Sequence, residues 1–277
     1  MTESDTGCTG YTGPTGSSDT EITYSDILFT SVYIGDPSLL HVEPTFKKIK
    51  NARYLMFTNI EKKHIPDTSW EVITINNERL DELKKQTNNS GVRISRYFKF
   101  NVYSYLREYL NMDIRNKFIF YCDSYLYPKH DRDWINICTK MKCEDLKIVQ
   151  YVHPSRSTLG INGDLIAAPK SGKDIKENMN KTRTCLHNID PAINLDTPQY
   201  YENTVLGFYS DEQVIQHCQN FWDLYAKTCP TYRDQPLWNF LYLLSNKRPY
   251  VHKRLRTCFA GGKKTELRIA EYTKNNL

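Results

Sequence analysis

The sequence predicts an α/β protein, a mixed and mainly parallel sheet flanked by helices in a single domain. Three observations carry that expectation. Short apolar and aromatic runs recur along the chain, the clearest being Phe118 to Tyr121, and runs of that length read as buried strands rather than helices. Segments with helical periodicity or start signals fall between them, an alternation that gives parallel sheets. The Phe118 run ends on one acid, Asp123, followed at once by Ser124, and ligands of open α/β sheets bind just outside the carboxyl ends of strands.

The elements follow in order. Asp26 to Tyr33 is the first strand, and Gly35-Asp-Pro37 turns the chain. Tyr54 to Phe57 and Trp70 to Ile75 are the second and third strands. Glu78 to Gln86 has helical propensity and ends near Asn88-Asn-Ser-Gly91. Phe100 to Leu110 reads as a helix with Val102, Tyr105, Leu106 and Tyr109 on one side. After the Phe118 strand come an Asp-rich loop and a strand from Leu146 to Val152. Residues 155–200, rich in Gly, Lys, Asn and Pro, read as a long loop region, which in a compact domain is often functional. Tyr201 to Tyr209 is a further strand. Ser210-Asp-Glu-Gln213 has the form of a capping box, and the helix after it places Val214, Cys218, Phe221, Trp222 and Tyr225 on one face. Pro236 suits the first turn of a last helix over Leu237 to Leu244.

Composition narrows the class. With 277 residues, 39% hydrophobic and 25% charged, the chain can bury a sizeable core. A net charge of +5 is consistent with an anionic substrate, but the lysines are dispersed and no basic block points to nucleic acid. The 20 tyrosines suit either a polar ring-shaped ligand or a partly wet core. Eight cysteines without a CxxC pair give no support to a structural zinc site. The polar start and the lack of a long apolar run give no signal peptide and no membrane span, so the expectation is a soluble, cytoplasmic protein with reduced thiols, not a secreted one. Gly7, Gly10, Gly13 and Gly16 repeat with the collagen period, too briefly for a triple helix. Residues 1–22 therefore read as a flexible Gly-X-Thr tail and residues 23–277 as the domain.

The carboxyl-end acid has two readings. Asp123 holds a hard cation that in turn holds a phosphate-bearing substrate, or it caps a helix or starts a turn. Asp234, just before Pro236, is a second acid with two readings: a group for chemistry, or a cap on the last helix. Asp123 and Asp234 are both expected to be dispensable for folding. A metal-dependent phosphohydrolase is disfavoured, because such sites gather several Asp and His ligands and no such cluster is evident.

Four stretches in order resemble a nucleotide-sugar glycosyltransferase of the GT-A type: Phe29-Thr-Ser-Val-Tyr33, Tyr54-Leu-Met-Phe-Thr-Asn59 with Trp70-Glu-Val-Ile73, Arg93-Ile-Ser-Arg96-Tyr-Phe-Lys99, and Tyr232-Arg-Asp-Gln-Pro-Leu-Trp-Asn239. By pattern, residues 26–255 are similar to the plant-type glycosyltransferase-like family that includes mucilage-related hexosyltransferases. The resemblance implies transfer of a hexose from a nucleotide sugar, most simply a UDP-sugar, to a hydroxyl of a protein or glycan. It implies a Rossmann-like GT-A sheet and a divalent cation, Mn²⁺ or Mg²⁺. The family type holds that cation with an Asp-x-Asp motif; here the second acid is replaced in Asp123-Ser124-Tyr125. His252 then stands where related folds supply a late histidine ligand, or is a solvated residue of a basic run.

By the same resemblance Thr30, Ser31, Tyr33, Arg96, Lys99, Asp123 and Lys263 contact the donor, Lys263 through Gly261-Gly-Lys-Lys264. Asp234, the residue best placed for chemistry, accepts the acceptor hydroxyl's proton in an inverting reaction or holds the donor sugar's hydroxyls in a retaining one, and Gln235 hydrogen-bonds the sugar. His153, Arg156, Glu202 and Trp238 border the acceptor, with Asn203 beside Glu202. The glycine-periodic tail suggests a viral or bacterial setting with a collagen-like acceptor, in host cytoplasm or virion. The competing class is a GT-A-like binding or coat protein that has lost the chemistry, motivated by the missing second acid.

Overall fold

The strand runs pair as their composition requires. In a computed structural model, residues 21–42 and 45–261 are described. The elements are β1 (Ile27–Tyr33), β2 (Arg53–Thr58), β3 (Glu71–Thr74), α1 (Asn77–Gln86), α2 (Gly91–Phe100), α3 (Val102–Leu110), β4 (Phe118–Cys122), β5 (Leu126–Pro128), α4 (Trp134–Cys143), β6 (Ile148–Val152), α5 (Gly160–Lys170), α6 (Lys176–Ile189), β7 (Tyr201–Tyr209), α7 (Glu212–Asp223), α8 (Gln235–Ser245), β8 (Tyr250–Val251) and β9 (Phe259–Gly261). The tail expected at 1–22 lies outside the described residues except for Glu21 and Ile22, and Lys263 lies outside them too.

Seven strands form one sheet in the order β3-β2-β1-β4-β7-β6-β8, and β5 pairs with β9 in a small second sheet. β7 is antiparallel to both β4 and β6, while the other pairings of the large sheet are parallel. The mixed, mainly parallel single-domain fold expected from the sequence is the fold observed.

The central strands are apolar on both faces because helices cover both. On one side Leu28, Val32, Leu55, Phe57, Ile119 and Tyr121 pack with α2, α3, α7 and α8. On the other, Ile27, Phe29, Met56, Phe118 and Phe120 pack against Trp134, Ile137, Cys138 and Met141 of α4. Burying such side chains stabilises by about 1.5–3 kcal/mol each.

Three local expectations are corrected. The Asp-rich loop after Asp123 contains α4, which Asp133 caps by accepting from the Asn136 amide at 2.9 Å. Residues 155–200 are largely helical, in α5 and α6. The cap of α7 is Asp211, which accepts from the Val214 amide at 2.9 Å; the buried Ser210 hydroxyl has no partner.

Sheet order places the site. From β1 the chain moves outward through β2 and β3, then returns to place β4 on the other side of β1. The carboxyl ends of β1 and β4 thus flank a switch point, where open α/β sheets form a ligand crevice. Asp123 follows β4 directly.

Candidate functional site

Asp123 is half-buried at the sheet rim. Its amide donates to the Thr204 carbonyl at 3.2 Å, fastening the rim to β7. The Tyr121 hydroxyl donates to one carboxylate oxygen at 2.9 Å and the Tyr125 hydroxyl to the other at 3.3 Å. Burial, then the Asp123 charge, pushes both phenols up, so they stay protonated donors.

Asp234 is the centre of a second cluster. α2 presents Arg96 and Lys99, one turn apart, toward the start of α8. Arg96 Nε lies 3.1 Å and Lys99 Nζ 2.9 Å from its carboxylate, and the Asn203 amide donates to it at 3.1 Å. Burial alone would raise the pKa of Asp234. Arg96 and Lys99, then Arg233, outweigh it and hold the carboxyl well below the usual range. Asp234 occupies the N-cap position of α8 but makes no capping bond, which disposes of the cap reading. Lys99 Nζ also lies 4.9 Å from the Tyr121 ring centroid, so one chain of contacts runs Asp234, Lys99, Tyr121, Asp123.

A third group adjoins it. Asp164 of α5 is fully buried; Arg156 pairs with it, and Arg233 reaches it at 3.3 Å. Arg233 also donates to Gln235 Oε1 at 3.1 Å, and Gln235 Nε2 donates to the Tyr201 carbonyl at 3.0 Å. Asn239 holds the Tyr201 amide at 2.8 Å. Gln235 thus has both ends of its amide engaged within the protein and clamps the start of β7. It positions the rim. Asp174 accepts from the Thr231 hydroxyl at 2.8 Å and the Tyr232 amide at 2.7 Å, pinning the segment that enters α8.

His153 follows β6. Its Nδ1 accepts the amides of Ser155 and Arg156 at 3.2 and 3.1 Å, so the proton sits on Nε2, which donates to Glu202 at 3.1 Å. Burial lowers its pKa, against the pull of Glu202. Glu202 further accepts the Thr204 hydroxyl at 2.7 Å. The reversal of β7 makes this possible: its first residues lie at the same rim as the last residues of β4 and β6.

The structure therefore brings Arg96, Lys99, Asp234, Gln235, His153, Arg156 and Glu202 into linked clusters at the end of the sheet where Asp123 lies. Other candidates fall elsewhere. Thr30 and Ser31 are buried within β1, their hydroxyls without hydrogen-bond partners, and the Tyr33 hydroxyl donates to the Asp36 carbonyl at 2.9 Å. Trp238 is fully enclosed; its ring packs on Phe100 at 4.5 Å and its indole N–H reaches Gln150 at 3.1 Å and Tyr242 at 2.8 Å. It belongs to the core, not to an acceptor surface. His252 follows β8, so β7 and β6 separate it from Asp123, about 14 Å at sheet spacing. Burial, then Lys140 and Arg254, lowers its pKa. Its expected partnership with Asp123 on one ion is corrected. Asp164 and Asp174 are new: both lie in the stretch read as loop.

Among the described residues no group of three or more His, Cys, Asp or Glu side chains gathers to hold a metal ion. A Mg²⁺-type ion needs no such cage, since it keeps waters and substrate phosphates and takes one or two carboxylates. Asp123, half-open and set at the switch point, fits that lesser demand. Gly261 pairs with Leu126, three positions after Asp123, which brings the start of the Gly-Gly-Lys-Lys segment beside the same loop.

No protein-family model matches the chain, and no curated protein matches it. Solved structures similar to it include mouse xyloside xylosyltransferase 1 in its apo form (TM-score 0.42, 8% identity, 81% of this chain and 83% of that one). Core-mannan synthase A (CmsA/Ktr4) from Aspergillus fumigatus in a Mn/GDP form is another (TM-score 0.38, 10% identity, 82% and 71%). A third is the mannosyltransferase Ktr4p from S. cerevisiae (TM-score 0.34, 13% identity, 76% and 64%). Likenesses at this level transfer no residue role. No helix among the described residues is long and apolar enough to cross a membrane.

Proposed function

We propose that the chain is a GT-A-type glycosyltransferase that moves a hexose from a nucleotide sugar, most simply a UDP-sugar, to a hydroxyl on a protein or glycan. The observation that carries the reading is the meeting of Asp234 with Arg96 and Lys99 at the carboxyl end of the sheet where Asp123 stands. Departure of a nucleoside diphosphate leaves negative charge that must be neutralised in place. Asp123 would hold a divalent cation, Mn²⁺ or Mg²⁺, that supplies part of that neutralisation when bound with the donor. Arg96, the more open partner of Asp234, faces the donor phosphates or sugar.

Two roles were open for Asp234, and its environment favours one. A carboxylate held by two cations and an amide is a weak proton acceptor, because general-base efficiency follows basicity. It is well suited to accept hydrogen bonds from sugar hydroxyls, fixing the ring before transfer. Glu202, oriented by His153 and Thr204, borders the acceptor side with Arg156.

The test is thermal shift of the purified protein with UDP, GDP and their sugars, with and without Mn²⁺. A ligand that binds only the folded state raises the melting temperature. A Mn²⁺-dependent rise with uridine ligands and none in Asp123→Asn supports donor and metal together. A rise only with guanosine ligands replaces the donor base. No rise with any nucleotide favours the binding-protein reading, which the missing second acid of Asp123-Ser124-Tyr125 motivates.

A further inference from the structure

Cys185 lies on α6 and Cys229 just after the π turn at Leu224–Thr228 that follows α7. Their sulfur atoms are 2.8 Å apart, although 44 positions separate them in sequence. That is longer than a disulfide bond of about 2.05 Å and close enough to become one with a small side-chain movement. Cys229 is buried and Cys185 is half-exposed. The other described cysteines have no such sulfur contact.

The surroundings give the pair a reason to be there. Arg93 of α2 donates to the carbonyls of Tyr225, Ala226 and Cys229, the last at 3.1 Å, so the Cys229 turn is tied to the helix that carries Arg96 and Lys99. From Cys229 the chain runs through Thr231 and Tyr232, held by Asp174, to Asp234. A cavity of about 600 Å³, whose walls include Arg93, Lys181, Lys227, Cys229 and Tyr232, opens beside the thiols. Its cationic walls suit a small anionic reagent.

We propose that Cys185 and Cys229 form a reversible disulfide that clamps α6 to the segment leading into Asp234, with glutathione disulfide as the oxidant class. The Cys185 thiolate attacks one sulfur of glutathione disulfide, breaking its S–S bond and releasing one glutathione thiolate. The Cys229 sulfur, losing its proton, then attacks Cys185 Sγ in the mixed disulfide and expels the second glutathione. Two protein thiols are oxidised, one glutathione disulfide is reduced to two glutathiones, and the two protons end on the leaving thiols. Burial and the neighbouring Cys185 push the Cys229 thiol up, opposed by Arg93, so the second step quickens as pH rises.

The experiment equilibrates the full chain in glutathione buffers of graded oxidised-to-reduced ratio, traps free thiols with an alkylating reagent and maps peptides without reduction. The expected result is one cross-linked pair of peptides, Cys185 with Cys229, two hydrogens lighter than the free thiols. It is accompanied by a melting temperature about 5 °C higher, the direction a bridge across that span gives. Cys185→Ser and Cys229→Ser each abolish both effects, and Cys143→Ser leaves both. Full alkylation of Cys185 and Cys229 at every ratio overturns the proposal, as does a bridge to a different cysteine. A bridge without any rise in melting temperature overturns the clamp. None of these readouts depends on the transferase reading.

Discussion

Lys99 and Asp234 meet 2.9 Å apart with side chains only 3% and 4% exposed, one from α2 and the other from the entry to α8. Neither charge could be buried alone, so the contact that shapes the site also ties α2 to the entry of α8. Asp234→Ala is therefore expected to lose transfer and to lower unfolding stability by about 3–5 kcal/mol, because it strands buried cations. The sequence-only expectation that Asp234 is dispensable for folding is replaced by this one. Urea denaturation checks it, and Lys99→Met with Asp234→Leu should recover only part of the stability, because Arg96 keeps no carboxylate partner.

Asp123 gives the opposite profile. It is half-buried and its partners are two neutral phenols, so Asp123→Asn should abolish Mn²⁺-dependent nucleotide binding while the melting temperature moves by only about 2 °C or less. Differential scanning calorimetry with and without UDP and Mn²⁺ separates the two effects.

His217 should make the fold acid-sensitive. Its ring lies against Trp238 at 4.9 Å and Tyr242 at 5.6 Å, and burial, then Lys247, lowers its pKa to about 4 from 6.5. A histidine with a depressed folded pKa contributes fully above its unfolded pKa and loses that contribution as pH falls from 6.5 toward 4. His153 is shifted the same way and adds to the trend. Between pH 7 and 4.5 the His217 share is about 2–3 kcal/mol, the worth of roughly two pKa units. Urea midpoints at the two pH values should fall further for the native chain than for His217→Gln.

Gly207 sits in β7 between Phe120 and Val149, its register partners. A Cβ there would come within 2.6 Å of both side chains. Gly207→Ala should cost about 1–3 kcal/mol in urea unfolding by overpacking the centre of the sheet.

The sheet was legible because its strands are short apolar runs with polar borders, and Asp123 stood out as the one acid closing such a run. α4 carried a signal that went unread: Trp134, Ile137, Cys138 and Met141 recur at helical spacing after the cap at Asp133. α5 is harder, since Gly160, Gly163 and Pro169 are poor helix formers and tertiary packing decides the outcome. Gly160 itself, at φ 58°, is required where the Leu195 carbonyl would stand 2.6 Å from a Cβ. Asp164 could not be singled out from sequence, because its partners Arg156 and Arg233 identify it and Arg233 is remote along the chain. Trp238 departs from expectation for the converse reason: a motif names residues, and only packing says which of them face inward.

The ends of β6 and β7 lie side by side, Val152 opposite Tyr201, and antiparallel neighbours of that kind can be joined by a two-residue turn. The chain instead makes an excursion over residues 153–200 and returns to the place it left. That excursion carries Arg156, Asp164 and Asp174, and it is fastened to the entry of α8 by Asp164 on Arg233 and Asp174 on Thr231. Because closure cost grows slowly with length, such a segment behaves as a cassette. Loop length within it can change at little entropic cost, whereas buried Asp164 and Asp174 and the core residues Leu165 and Leu186 fix α5 and α6 to the frame.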